Sequence, residues 1–126
     1  MQTILTDFYT LESYEQAENG SYIANISLNK HHEIFKGHFP GNPVTPGVCM
    51  MQIVKELTEE VTGLKLFLRT ASNVKFMAII NPFETPDLTL QLDITQNEED
   101  VKVKNTTSFG ETIALKMSVN YQKLTL

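Results

Sequence analysis

The sequence predicts an α+β fold, a curled antiparallel sheet of about six strands wrapped around one long central helix. Three observations carry this expectation. A single stretch, residues 46–62, spaces its apolar residues for a helix. Most of the remainder alternates apolar and polar residues with period two. Turn residues separate the alternating stretches at intervals short enough for antiparallel neighbours. A sheet with one apolar face and a helix with one apolar stripe bury each other best when the sheet curls around the helix.

The elements follow in order. Tyr22, Ala24, Ile26 and Leu28 alternate with Asn25, Ser27 and Asn29, which reads as a half-buried strand. Glu18-Asn19-Gly20 is a hairpin turn, so Phe8 to Glu15 is expected to be the partner strand. The helix spans Pro46 to Thr62. Thr45 is the candidate cap, Pro46 suits its first position and Gly63 its end. Met50, Ile53, Val54, Leu57 and Val61 form its apolar face, and at 1.5 Å per residue it is about 25 Å long. Leu64 to Arg69 and Val74 to Ile80 are two apolar runs. Strands around Leu88–Thr95, Val101–Lys104 and Ile113–Tyr121, joined at Asn97–Asp100 and Phe109-Gly110, read as a meander.

At 126 residues the chain is expected to be a single domain over 1–126. With 41% hydrophobic and 20% charged residues it has an ordinary globular composition. A net charge of −5 argues against nucleic-acid binding, which needs a basic surface. No run reaches membrane-spanning length, and the first residues lack the basic start and apolar core of a signal peptide. The lone Cys49 cannot form an internal disulfide. A cytoplasmic location without membrane partners is the expectation.

The chemistry is concentrated between His32 and Gln52. Pro40, Pro43 and Pro46 stiffen a loop that Gly37, Gly41 and Gly47 allow to turn, and His38 lies within it. A histidine so placed is suited to acid–base work near neutral pH. His31 and His32 show no metal-ligand spacing and read as surface residues. Cys49, in the first helical turn, could be an activated thiol or a small packing residue, and packing is the preferred reading. Met50 and Met51 read as core or as the lining of an apolar tunnel.

The run His38-Phe39-Pro40-Gly41-Asn42-Pro43-Val44-Thr45-Pro46-Gly47-Val48, extended upstream by Phe35 and Gly37, resembles the signature of the 3-hydroxyacyl-acyl-carrier-protein dehydratases of the FabZ/FabA kind. The resemblance implies a hot-dog fold and a lyase acting on acyl thioesters in fatty acid or related polyene and polyketide-like biosynthesis. It implies that His38 removes the C2 proton of the 3-hydroxyacyl thioester. Gly47 would offer its backbone N–H to the thioester carbonyl, with Val48, Phe39 and Pro46 lining the substrate site. A helix N-terminus suits that carbonyl, because its unpaired N–H groups and positive dipole end favour a developing enolate oxygen.

One position departs from the pattern. The family places a Glu or Asp fourteen residues after the histidine, on the partner subunit's helix, to protonate the leaving 3-hydroxyl; here that residue is Gln52. A carboxamide hydrogen-bonds but is not a usable acid near neutral pH. Glu56, one turn further along, and Glu33, before the loop, are the candidate replacements. Three readings therefore stand: a dehydratase weakened at the acid position, a hot-dog thioesterase in which Gln52 orients water, or a catalytically weak subunit paired with an active dehydratase. The resemblance implies no metal and no organic cofactor. It implies a substrate on acyl carrier protein or CoA and a dimer, either of two copies or with a paralogue. Lys65, Arg69 and Lys75, with Lys36, are the candidate basic contacts for an acidic carrier protein.

Overall fold

The computed structural model describes residues 6–37 and 43–124. The chain forms strands β1 (Tyr9–Gln16) and β2 (Tyr22–Leu28), a short helix α1 (Glu33–Gly37), and a long helix α2 (Gly47–Thr62). Strands β3 (Leu66–Phe76), β4 (Asp87–Gln96), β5 (Asp100–Phe109) and β6 (Thr112–Lys123) follow. All six strands belong to one antiparallel sheet in the order β1-β2-β4-β5-β6-β3. The sheet curls around α2, as the alternation and the single apolar helix imply.

Period two explains which side chains meet α2. Ala24, Ile26 and Leu28 of β2, Leu88, Leu90 and Leu92 of β4, and Met117, Val119 and Tyr121 of β6 are all buried. From α2 they receive Met50, Ile53, Val54 and Leu57, all buried, whereas the expected Val61 is only half-buried. Each such side chain contributes about 1.5–3 kcal/mol of burial, so this interface dominates the stability of the fold. Thr58 interrupts the apolar pattern yet is fully buried, because its hydroxyl donates to Val54 O at 2.8 Å and needs no other partner.

Four expectations need correction. The helix begins at Gly47, with Pro46 as the residue before it at φ −64° and ψ 143°. Thr45 does not cap α2: its hydroxyl and its N–H both donate to Ile80 O at 2.9 Å, fastening the loop to the chain after β3. The runs at 64–69 and 74–80 are not separate strands. They merge into β3, whose two halves pair with β6 across a break at Asn73, a residue in the left-handed region at φ 52°. His32 is half-buried rather than simply a surface residue. It packs edge-on against Phe8 at 5.2 Å, its Nδ1 accepts from Ile34 N–H, and its Nε2 therefore carries the proton given to Thr6 O.

Gly63, at φ 72°, ends α2 as expected, its N–H donating to Glu59 O at 2.9 Å. Among the described residues no helix is long and apolar enough to cross a membrane.

Candidate active site

The catalytic candidate His38 and the lining candidate Phe39 lie outside the described residues. The segments on either side of the loop are firmly placed. Phe35, from α1, is buried and stacks on Phe8 with ring centroids 5.1 Å apart. Thr45 is tied to Ile80 at the other end.

At the loop's far side begins α2. Pro46 O accepts from Cys49 N–H at 3.1 Å and from Met50 N–H at 3.3 Å. Gly47 and Val48 N–H have no acceptor among the described residues, and no side chain caps this end. Two donors at the positive end of a 16-residue helix thus face outward, the arrangement that stabilises negative charge on a carbonyl oxygen. Gly47, Val48 and Pro46 border a cleft of about 580 Å³ together with Phe76, Met77 and Ile79. The Phe76 ring lies directly against Gly47, where an added Cβ would stand 2.6 Å from its Cζ.

This contact yields a prediction. Gly47→Ala keeps the N–H but places a methyl group under the Phe76 ring. That ring is more than half exposed and can swing aside, so the melting temperature should shift by only a few degrees. Turnover should fall at least ten-fold, since a misplacement near 1 Å at a reacting centre costs that much or more. Unchanged steady-state kinetics would remove Gly47 from the site.

Gln52 borders a second, larger cleft of about 850 Å³ between α2, β3 and β6. Its walls are mostly apolar, including Val48, Met51, Leu66, Leu68 and Tyr121, with a polar strip of Gln52, Lys55 and Glu59 along α2. Val48 borders both clefts. Glu59 Oε2 accepts from Leu66 N–H at 2.9 Å and stands 3.6 Å from Lys55 Nζ. Burial, with Glu59 adding to it, pushes the Tyr121 phenol upward and keeps it neutral.

Cys49 is 6% exposed, and burial raises its thiol pKa, the opposite of what a nucleophile needs. Packing is its role. Met50 is core and Met51 borders the larger cleft. Glu33 is exposed on α1, whereas Glu56 lies on α2 one turn beyond Gln52 and accepts from its Nε2 at 2.9 Å. The sequence did not reveal Tyr9, whose hydroxyl donates to Glu56 at 2.8 Å from β1. No local pattern could have shown it, because the two are 47 residues apart. Among the described residues no group of His, Cys, Asp or Glu could hold a metal ion.

The basic residues are less clustered than their numbering suggests. Lys65 immediately precedes β3 and Lys75 lies near its far end. Arg69 lies between them, 3.6 Å from Asp100. Lys36 belongs to another cleft, with Lys30, His31 and Phe83.

Residues 14–117 match the family model described as ApeI dehydratase. The chain belongs to the ApeI-like dehydratase family. Among curated relatives of this ApeI-like chain is the 3-hydroxyacyl-[acyl-carrier-protein] dehydratase FabZ of Clostridium acetobutylicum. It is 31% identical over 120 residues, covering 90% of this chain and 76% of that one. Among solved structures, the dehydratase heterocomplex ApeI:P from Xenorhabdus doucetiae superposes with a TM-score of 0.71 at 18% identity, covering 90% and 96% of the two chains. A hypothetical thioesterase with coenzyme A from Streptococcus pneumoniae superposes with a TM-score of 0.67 at 12% identity, covering 95% and 90%. These structures share the hot-dog fold with the ApeI-like chain.

Proposed function

We propose that this ApeI-like protein is an acyl-thioester lyase of the 3-hydroxyacyl-carrier-protein dehydratase type, serving fatty acid or related polyene biosynthesis. The observation that carries the reading is the pair of N–H groups at Gly47 and Val48, without an acceptor among the described residues, at the start of the helix that also carries Gln52 along an apolar cleft. In this reading the thioester carbonyl binds the N–H groups, the acyl chain runs along the apolar wall, and His38 takes the C2 proton. Gln52 holds the 3-hydroxyl. The acyl group arrives on a carrier protein or on CoA, and no metal takes part.

Incubation with 3-hydroxyacyl and 2-enoyl thioesters, with dehydration, hydration and hydrolysis followed separately, tests this. Interconversion of the two thioesters supports the lyase. Hydrolysis alone would replace it with the thioesterase reading, which the carboxamide at position 52 favours because a carboxamide orients water but does not supply an acid's proton. Tight carrier-protein binding without any turnover would make the chain a partner subunit for an active dehydratase.

The working unit in this reading is a dimer, either of two copies or with a paralogue. β3 is an edge strand of the sheet, and most of its residues are exposed. Phe67 and Phe76 on it, with Met77 and Ile79 just after, are each more than half exposed. An unpaired edge flanked by exposed aromatic residues is a surface that proteins normally cover. Sedimentation equilibrium at micromolar concentration should return twice the chain mass of 14.3 kDa. A single-chain mass would defeat the homodimeric site and leave only pairing with a paralogue.

A further inference from the structure

Glu56 is engaged on both sides. Gln52 Nε2 donates to Glu56 Oε2 at 2.9 Å, and the Tyr9 hydroxyl donates to Glu56 Oε1 at 2.8 Å. The second contact joins the edge strand to the central helix, so it is tertiary and partly buried rather than a passing pair on a helix surface. Burial first, and the Glu56 contact second, push the Tyr9 phenol upward, which keeps it a donor at every working pH. A carboxylate only accepts hydrogen bonds, so it can face only the NH₂ end of the Gln52 carboxamide. The carbonyl end, Oε1, then points the other way, and it has no partner among the described residues.

We infer that Glu56, held by Tyr9, is a positioning residue that fixes the Gln52 carboxamide with Oε1 offered to the cleft as a hydrogen-bond acceptor. The inference rests on reading Gln52 as a site residue. It names what Gln52 binds, namely a group that donates a proton through O–H, either the substrate 3-hydroxyl or a water beside the acyl chain. It also commits one of the two Nε2 N–H bonds of Gln52 to Glu56, and leaves the thioester carbonyl to the N–H groups of Gly47 and Val48.

The test combines kinetics with a signal that does not depend on turnover. Glu56→Gln keeps size and shape but lets either end of Gln52 face position 56. It should lower kcat about ten-fold with KM within about two-fold, and Tyr9→Phe should act in the same direction by about three-fold. A merely structural pair would instead lower the melting temperature and leave kcat per folded molecule unchanged. In ¹⁵N-labelled protein, the Gln52 side-chain NH₂ resonances, assigned by their absence in Gln52→Ala, should shift in both Glu56→Gln and Tyr9→Phe. Resonances indifferent to both would overturn the inference, as would wild-type kcat in Glu56→Gln. If the wild-type protein turns over no thioester, the functional reading falls by itself and the NH₂ resonances decide the positioning.

Discussion

Gln52→Glu should increase dehydration of a 3-hydroxyacyl thioester about ten-fold or more, equivalent to about 1.4 kcal/mol of barrier. The substitution is nearly isosteric and supplies the proton carrier that the resemblance leads one to expect at this position. Its neighbour makes it an acid. The Gln52 Nε2 to Glu56 Oε2 distance is 2.9 Å, so a carboxyl at position 52 stands beside a second carboxyl, and like charge raises its pKa. Dehydration by the variant should therefore persist at low pH and fall as pH rises through the raised carboxyl pKa. Stability has the same sign. A carboxyl with a raised folded-state pKa costs nothing below its unfolded value, about 4.3, and destabilises progressively above it. The variant's melting temperature, relative to wild type, should drop as pH rises through that range. A folded Gln52→Glu protein that binds substrate without faster dehydration would mean that residue 52 does not face the hydroxyl or that the reaction is not a dehydration.

His38→Ala should remove turnover in both the wild-type and the Gln52→Glu backgrounds. Loss of a general base costs about 10²–10⁴-fold, and the neighbouring His32 is committed to Thr6 and Ile34. The effect should lie in kcat, with circular dichroism and melting unchanged. Residual activity within ten-fold of wild type would move the base elsewhere and take the assignment of the loop with it.

Gln52 also illustrates how far local pattern reaches. Its spacing from His38 is a property of the sequence, and so is its departure from an acidic residue. Its setting between Glu56 and the cleft required the folded chain. The same division holds for β5, whose start is obvious from Val101 and Val103. Its second half was missed because Asn105 and Thr107 occupy the inward positions. They are buried because they satisfy each other: Thr107 Oγ1 donates to Asn105 Oδ1 at 3.0 Å, and Asn105 Nδ2 to Gln91 O at 3.1 Å. Hydropathy cannot anticipate a polar pair whose burial depends on partners in the fold.

The sequence by itself determined the α+β class, the one long helix, the closing meander and the residues at the start of α2, because each follows from periodicity or from turn and terminus chemistry within a few residues. Only the tertiary structure decided that residues 66–76 form one edge strand, that Thr45 serves the loop rather than the helix, and that Tyr9 reaches Glu56. Those outcomes depend on which groups distant in the chain come within about 3 Å of one another, and hydrogen bonding at that range depends on distance and direction rather than on sequence spacing.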